Sequence, residues 1–264
     1  MVERYRRQKK SSPLLGNHQK CWLWGRHVVL ETLRAGRWLA IELHLSDRLD
    51  DQEISIAEEY ARSHDVPVTI ESSERLTQLS HTREHQGFLA KMSAFPYDTA
   101  DDLLAQKPKR SLFAVLDGIQ DPHNFGAIIR SAHVLGVDGL FVPARGQVEV
   151  TAQVARSSAG AVNHLRIAQV DDLVALAARL RASQVRLIGT SQRATQAIFD
   201  CDLLASSAIV IGNEGTGIHP ELLAACDELV TIPQFGAVES LNAAVSAGVL
   251  FYEAQRQRAV ASRS

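Results

Sequence analysis

The 264-residue sequence has little of what would mark a disulfide scaffold, a zinc module or a membrane protein. Its cysteines number three, Cys21, Cys201 and Cys226, and no two stand at C-x-x-C spacing. An odd, scattered set fits a reducing compartment and provides no structural zinc site. Histidines are scattered too, with no H-E-x-x-H pair or other metal spacing, so no metal is expected. No apolar run approaches the length of a membrane span, and residues 1–20 lack the apolar core of a signal peptide. The expected location is the cytoplasm. Aromatic residues make up only 6% of the chain, which argues against a surface that holds single strands by stacking. There is no G-x-S-x-G elbow, and no Ser/His/Asp set or carboxylate pair declares itself.

What remains is an ordinary globular composition, 45% hydrophobic and 22% charged, enough for a buried core. The net charge of −2 hides an asymmetry. Residues 1–20 carry Arg4, Arg6, Arg7, Lys9, Lys10 and Lys20 against the single acid Glu3. Such a leader reads as a basic flexible tail able to touch phosphates.

Patterning divides the rest. Helical spacing over Arg26–Ala35, 53–63 and 72–79 alternates with strand-like runs at 40–45, 66–70 and 86–92. This predicts a small α/β unit over 21–94. Residues 95–110, with Pro96, Pro108 and clustered charge, read as a linker holding a short helix at 101–105. From Ser111 the alternation becomes regular. Short apolar strands are expected at 112–116, 139–142, 165–168, 185–189, 207–211 and 228–232. Helices are expected between them, and a last one over 240–255 with Ser240 as its N-cap. Apolar strands between amphipathic helices predict a mostly parallel sheet covered on both faces, in a second domain over 111–258.

Three segments of that domain could carry chemistry. Gly212-Asn213-Glu214-Gly215-Thr216-Gly217 follows a strand, where glycines let the backbone approach a ligand. Its order is neither the dinucleotide fingerprint nor the P-loop, and no lysine follows to grip a phosphate. That argues against a nucleotide-dependent enzyme. Glu214 reads as a buried acid, which a plain turn does not need. In Asp117–Gly126, Asp121-Pro122 signals a helix start, and Asn124 falls in the first turn, where amides and dipole suit an anion. Arg130 lies six residues on, on another face. Taken alone, these two read more readily as a capping residue and a surface cation than as a site. Ile232-Pro233 breaks the chain after a strand, and Ser240-Leu241-Asn242 opens a final helix rich in small residues that can pack closely.

Together and in this order, the segments resemble the SpoU/TrmH branch of the SPOUT methyltransferases. Asn124 with Arg130 is similar to its first motif, the 212–217 loop to its second, and Ile232-Pro233 with Ser240-Leu241-Asn242 to its third. Gly25-Arg26-His27 through Met92, with His85-Gln86-Gly87, resembles the L30-like substrate-binding domain that precedes the catalytic domain. The layout is most similar to the branch that methylates a guanosine of 23S ribosomal RNA. The resemblance implies a trefoil-knotted catalytic domain, a homodimer and S-adenosylmethionine (AdoMet) as methyl donor. It implies a donor pocket at Gly212, Ile232 and Leu241, flanked by Thr190 and Pro233, and a catalytic set of Arg130, Asn124, Glu214, Ser240 and Asn242. Transfer RNA stands as the second substrate. A non-catalytic RNA-binding or ribosome-assembly protein is the alternative of a different class.

Overall fold

The computed structural model describes residues 21–236 and 240–262. The basic tail at 1–20 lies outside the described residues. The chain divides into two compact units. The first holds the described residues up to Pro96 together with Val150–Asn163; the second holds Tyr97–Glu149 and the chain from His164 onward.

In the first unit, β1 (Trp22–Trp24), α1 (Arg26–Ala35), β2 (Ala40–Ser46), α2 (Asp51–Ser63), β3 (Val68–Glu71), α3 (Ser73–Ser80) and β4 (Phe88–Met92) build a four-stranded sheet in the order β1-β4-β2-β3. Only β2 and β3 run parallel. The helix starts follow local chemistry. Asp50 accepts from the Glu53 amide at 2.7 Å, and Ser72 from the Arg75 amide at 3.2 Å, each satisfying an amide that the first turn leaves open. Trp22, Leu76 and Leu89 close one side of the core. The strand β1 was not expected. Its three residues are too few to show a period, and pairing with β4 (Leu23 opposite Ala90) defines it.

The second unit contains α4 (Ala100–Ala105), β5 (Leu112–Asp117), α5 (Pro122–Val134), β6 (Gly139–Pro143), β7 (Ile167–Val170), α7 (Leu173–Ala182), β8 (Arg186–Thr190), β9 (Gln196–Ala197), β10 (Ser207–Gly212), α8 (Pro220–Ala224), β11 (Glu228–Thr231) and α9 (Ala243–Ala261); α6 (Ala152–Ser157) belongs to the first unit. Seven strands form one sheet, every pairing parallel, in the order β7-β6-β5-β10-β8-β11-β9. Alternate residues face opposite sides. Phe113, Val115, Ala208 and Val210 join Leu103 of α4, Leu176 and Leu180 of α7 and Leu222 of α8 in one buried layer. On the other side α9 packs on β10 and α5.

Three expectations change. The segment read as a linker is built into the second unit from Tyr97 on: the Asp98 amide donates to the Ile167 carbonyl at 2.8 Å, and Asp98 pairs with Arg166 at 3.2 Å. Val150–Asn163, expected inside the catalytic domain, joins the first unit, where Asn163 Nδ2 donates to Thr32 Oγ1 at 2.9 Å. The final helix begins at Ala243, so its cap is Asn242 and not Ser240.

Candidate active site

The C-terminal ends of the central parallel strands carry the motif loops. Strand order sets β10, β8 and β11 side by side, and the register pairs Val210 with Gly189 and Val230 with Thr190. Thr190 and Gly212 therefore end two adjacent strands and Ile232 directly follows a third, along the edge where parallel sheets bind ligands. The Thr190 hydroxyl donates to the Val210 carbonyl at 2.8 Å, tying β8 to β10.

The glycine loop leaves β10 and folds back on itself. Asn213 and Gly217 exchange backbone hydrogen bonds at 3.1 and 2.9 Å. The Asn213 side chain sets the rest: its Oδ1 accepts from the Gly215 amide at 2.8 Å, and its Nδ2 donates to the Gly118 carbonyl at 2.7 Å. This return is possible because residue 212 has no side chain. A Cβ there would stand 2.3 Å from the Gly217 carbonyl carbon and 2.4 Å from the Ile218 nitrogen.

The loop projects Glu214 outward. The acid expected to be buried is exposed, because the tight return buries Ile218 instead and leaves the tip in solvent. Glu214 is nevertheless held. Asn124 Nδ2 donates to its carboxylate at 2.7 Å, and Asn242 Nδ2 donates to Asn124 Oδ1 at 3.0 Å. One directional chain, Asn242 to Asn124 to Glu214, thus joins the three motif segments. Both helix starts feed it. Asp121 caps α5 by accepting from the His123 and Asn124 amides at 3.1 and 3.4 Å, so a residue of the chain already takes the anionic place at this N-terminus. Asn242 caps α9 by accepting from the Ala244 and Val245 amides at 2.9 and 3.3 Å. Its amide accepts at the cap and donates to Asn124 at once.

Arg130 is not in this chain of contacts. It lies near the end of α5, exposed, with no hydrogen-bond or ion-pair partner among the described residues. Ser240 is exposed as well. Around the strand ends Ile232 and Pro233 are partly covered, while Leu241 is 41% exposed and Phe235 98% exposed.

Sequence reasoning missed two supports. The buried Asp117 carboxylate accepts from the His219 amide at 2.7 Å and meets its Nδ1 at 2.9 Å, anchoring the exit of the glycine loop to the end of β5. Gln147 Oε1 accepts from the Ile119 amide at 2.8 Å and steadies the turn before α5. The position of Asp117 at a strand end was the available signal. Gln147 gave none. Among the described residues no group of three His, Cys, Asp or Glu side chains is placed to hold a metal ion.

Residues 111–252 match the SpoU rRNA methylase family, and residues 22–98 match the family described as RNA 2'-O ribose methyltransferase substrate binding. The chain is 35% identical to the 23S rRNA (guanosine-2'-O-)-methyltransferase RlmB of Coxiella burnetii over 239 residues, which is 89% of this chain and 95% of that protein. It is 32% identical to RlmB of Shewanella oneidensis over 238 residues, 89% of this chain and 97% of that one. Among solved structures it is similar to the SpoU methyltransferase AviRb of Streptomyces viridochromogenes in complex with AdoMet, with a TM-score of 0.77 and 28% identity over 94% of this chain and 96% of that one. With more than half of its length matched by that family's model, the chain belongs to the SpoU rRNA methylase family.

Proposed function

We propose that the protein methylates a ribose 2'-hydroxyl of structured RNA, a guanosine of 23S ribosomal RNA, with AdoMet as donor. The observation that carries this reading is the Asn242–Asn124–Glu214 chain, which draws the three motif segments together beside the strand ends. The choice of 23S RNA rests on the RlmB relatives, which align over both units.

Bound AdoMet supplies an electrophilic methyl group on a sulfonium. Gly212, Ile232 and Leu241, with Thr190 and Pro233 beside them, would hold it at the strand ends. The strand order, which inserts β10 between β5 and β8 although both precede it in the chain, is consistent with a trefoil knot whose loops form that pocket. Arg130 faces solvent unpaired, so its guanidinium is available to RNA. A guanidinium carries donors only and no lone pair to take a proton, which fits Arg130 to stabilise the developing alkoxide and not to act as a base. It would also grip the adjacent phosphate, an acceptor for the hydroxyl proton. Asn124, Glu214, Asn242 and Ser240 would orient ribose and Arg130; much of the rate then comes from positioning.

Val245, Val249 and Tyr252 are 52%, 39% and 61% exposed at one-turn spacing along α9. That stripe supports a homodimer formed through this helix, and sedimentation of the purified chain tests it. With RNA as its partner the enzyme would work in the cytoplasm.

Incubation with AdoMet carrying a labelled methyl group, alongside unmodified 23S RNA and bulk transfer RNA, tests the reading. Label recovered from 23S RNA as an alkali-resistant nucleotide is expected. Label in transfer RNA alone would overturn the substrate, and binding of RNA without AdoMet binding would favour a non-catalytic assembly protein.

A further inference from the structure

The first unit contains a cleft of about 500 Å³ that the proposed chemistry does not use. Trp24, Gly25, Val28 and Ala159 form its apolar part; His27, Glu84, Gln86 and Arg156 are its polar groups. Arg156 arrives on α6, the segment that leaves its sequence neighbours to join this unit. Its guanidinium lies 3.7 Å over the Trp24 ring. Stacking uses the face of the guanidinium and leaves its in-plane N–H groups as donors. Those donors have no hydrogen-bond or ion-pair partner among the described residues, and Nη1 is buried without one. A half-buried cation with nothing to donate to is costly and awaits an acceptor. The Glu84 carboxylate lines the same cleft, where its charge favours the Arg156 cation without hydrogen-bonding to it. Gln86 is fixed there, its Oε1 accepting from the Arg26 amide at 3.0 Å in a turn where its own φ is 51°.

We infer that this cleft binds an unpaired guanine base of the RNA, an assignment that rests on the reading of the protein as an RNA methyltransferase. The lining selects the ligand. A carboxylate disfavours a phosphate in the cleft, while the indole and Val28 favour a flat ring. Guanine alone among the RNA bases presents two adjacent donors, N1–H and the N2 amine, to a carboxylate, and offers O6 and N7 to a guanidinium. Adenine would set its N1 lone pair against Glu84, and uracil brings one donor. Single-stranded bases splayed from a folded RNA are the usual carriers of sequence recognition.

Fluorescein-labelled hexaribonucleotides test this on the full chain by anisotropy: five uridines with guanosine, adenosine or inosine at the third position. Guanosine is expected to bind about tenfold tighter than adenosine, the discrimination of one good bidentate pair. Inosine, which lacks the N2 amine, should fall between them. Glu84 is exposed, so Glu84→Gln should keep its melting temperature while guanosine and adenosine become equal. Equal binding of the two by the native chain, or a guanosine preference that survives in Glu84→Gln, would overturn the site. AdoMet binding, measured by calorimetry on the same samples, reads the methyltransferase assignment separately. Its absence with the Glu84-dependent preference intact would sink that assignment alone and still support the cleft.

Discussion

Gly212→Ala tests whether the glycine loop is built on a missing side chain. The added Cβ would lie 2.3 Å from the Gly217 carbonyl carbon, 2.4 Å from the Ile218 nitrogen and 2.6 Å from the Gly217 oxygen, all backbone atoms. Carbon contacts are comfortable near 3.5 Å, so the 217–218 peptide must retreat by about 1 Å. It is not free to do so. Two backbone bonds tie Gly217 to Asn213, Ile218 is buried, and the next amide is held by Asp117 at 2.7 Å. Overpacking typically costs about 1–3 kcal/mol, and an obstacle of fixed backbone puts this case near 3 kcal/mol. For a chain of this size the melting temperature should fall by roughly 6–12 °C. AdoMet affinity should fall with it, because Gly212 ends the strand that would carry the donor pocket. Gly248→Ala in α9 is the control, since its Cβ would meet only Ser131 Oγ at 3.8 Å. There the helix should gain about 0.5–1 kcal/mol. Calorimetric melting and AdoMet titration read both variants. A Gly212→Ala protein that melts within a degree or two of the native chain and binds AdoMet equally well would refute the reasoning.

Asn242→Asp should separate folding from turnover. A carboxylate still caps α9 and suits its N-terminus, so stability should change by less than about 1 kcal/mol. Losing the donor to Asn124 sets two acceptors against each other, and turnover should fall on the order of tenfold or more; full turnover would mean that the network has no catalytic part. His85 is buried, and desolvation holds its imidazole below its usual pKa of 6.5. The unfolded chain therefore takes up a proton that the folded chain resists. The stabilising contribution is complete above pH 6.5 and is lost as pH falls below it. Melting from pH 7.5 to 5.5 should decline less steeply in His85→Asn than in the native chain, and identical slopes would contradict this. Burial, with Glu228 beside it, pushes the Cys201 thiol up to about 12, and burial pushes Cys226 to about 11. Neither should react with iodoacetamide at pH 8 until urea unfolds the chain, since the thiolate is the reactive form.

Local chemistry made much of the second unit legible in advance. Asp121-Pro122 starts α5 because an acceptor and a preset φ stand at the right places, and Gly136, with φ of 66°, follows its end. The Arg26–Ala35 helix has the bounds that its apolar spacing gives. Contacts distant in sequence were less accessible. Ser240 and Asn242 are both good caps, and the one that takes the position also bonds to Asn124, 118 residues away. Val150–Asn163 has an ordinary helical pattern, and nothing local says which unit it will join. The convergence of Asn124, Glu214 and Asn242 came from family resemblance, and the geometry now gives it a cause. The placement of Arg130 on a separate face followed from helical spacing, whereas its role did not.

The most direct test of the account is a paired measurement on Arg130→Ala: single-turnover methyl transfer to 23S RNA, and AdoMet affinity by calorimetry. Arg130 is exposed and unpartnered among the described residues, so the variant should fold and bind AdoMet within a few-fold of the native chain. Its methyl transfer should fall by at least about a hundredfold, the usual loss when one stabiliser of a developing oxyanion is removed. Transfer at the native rate would contradict the account.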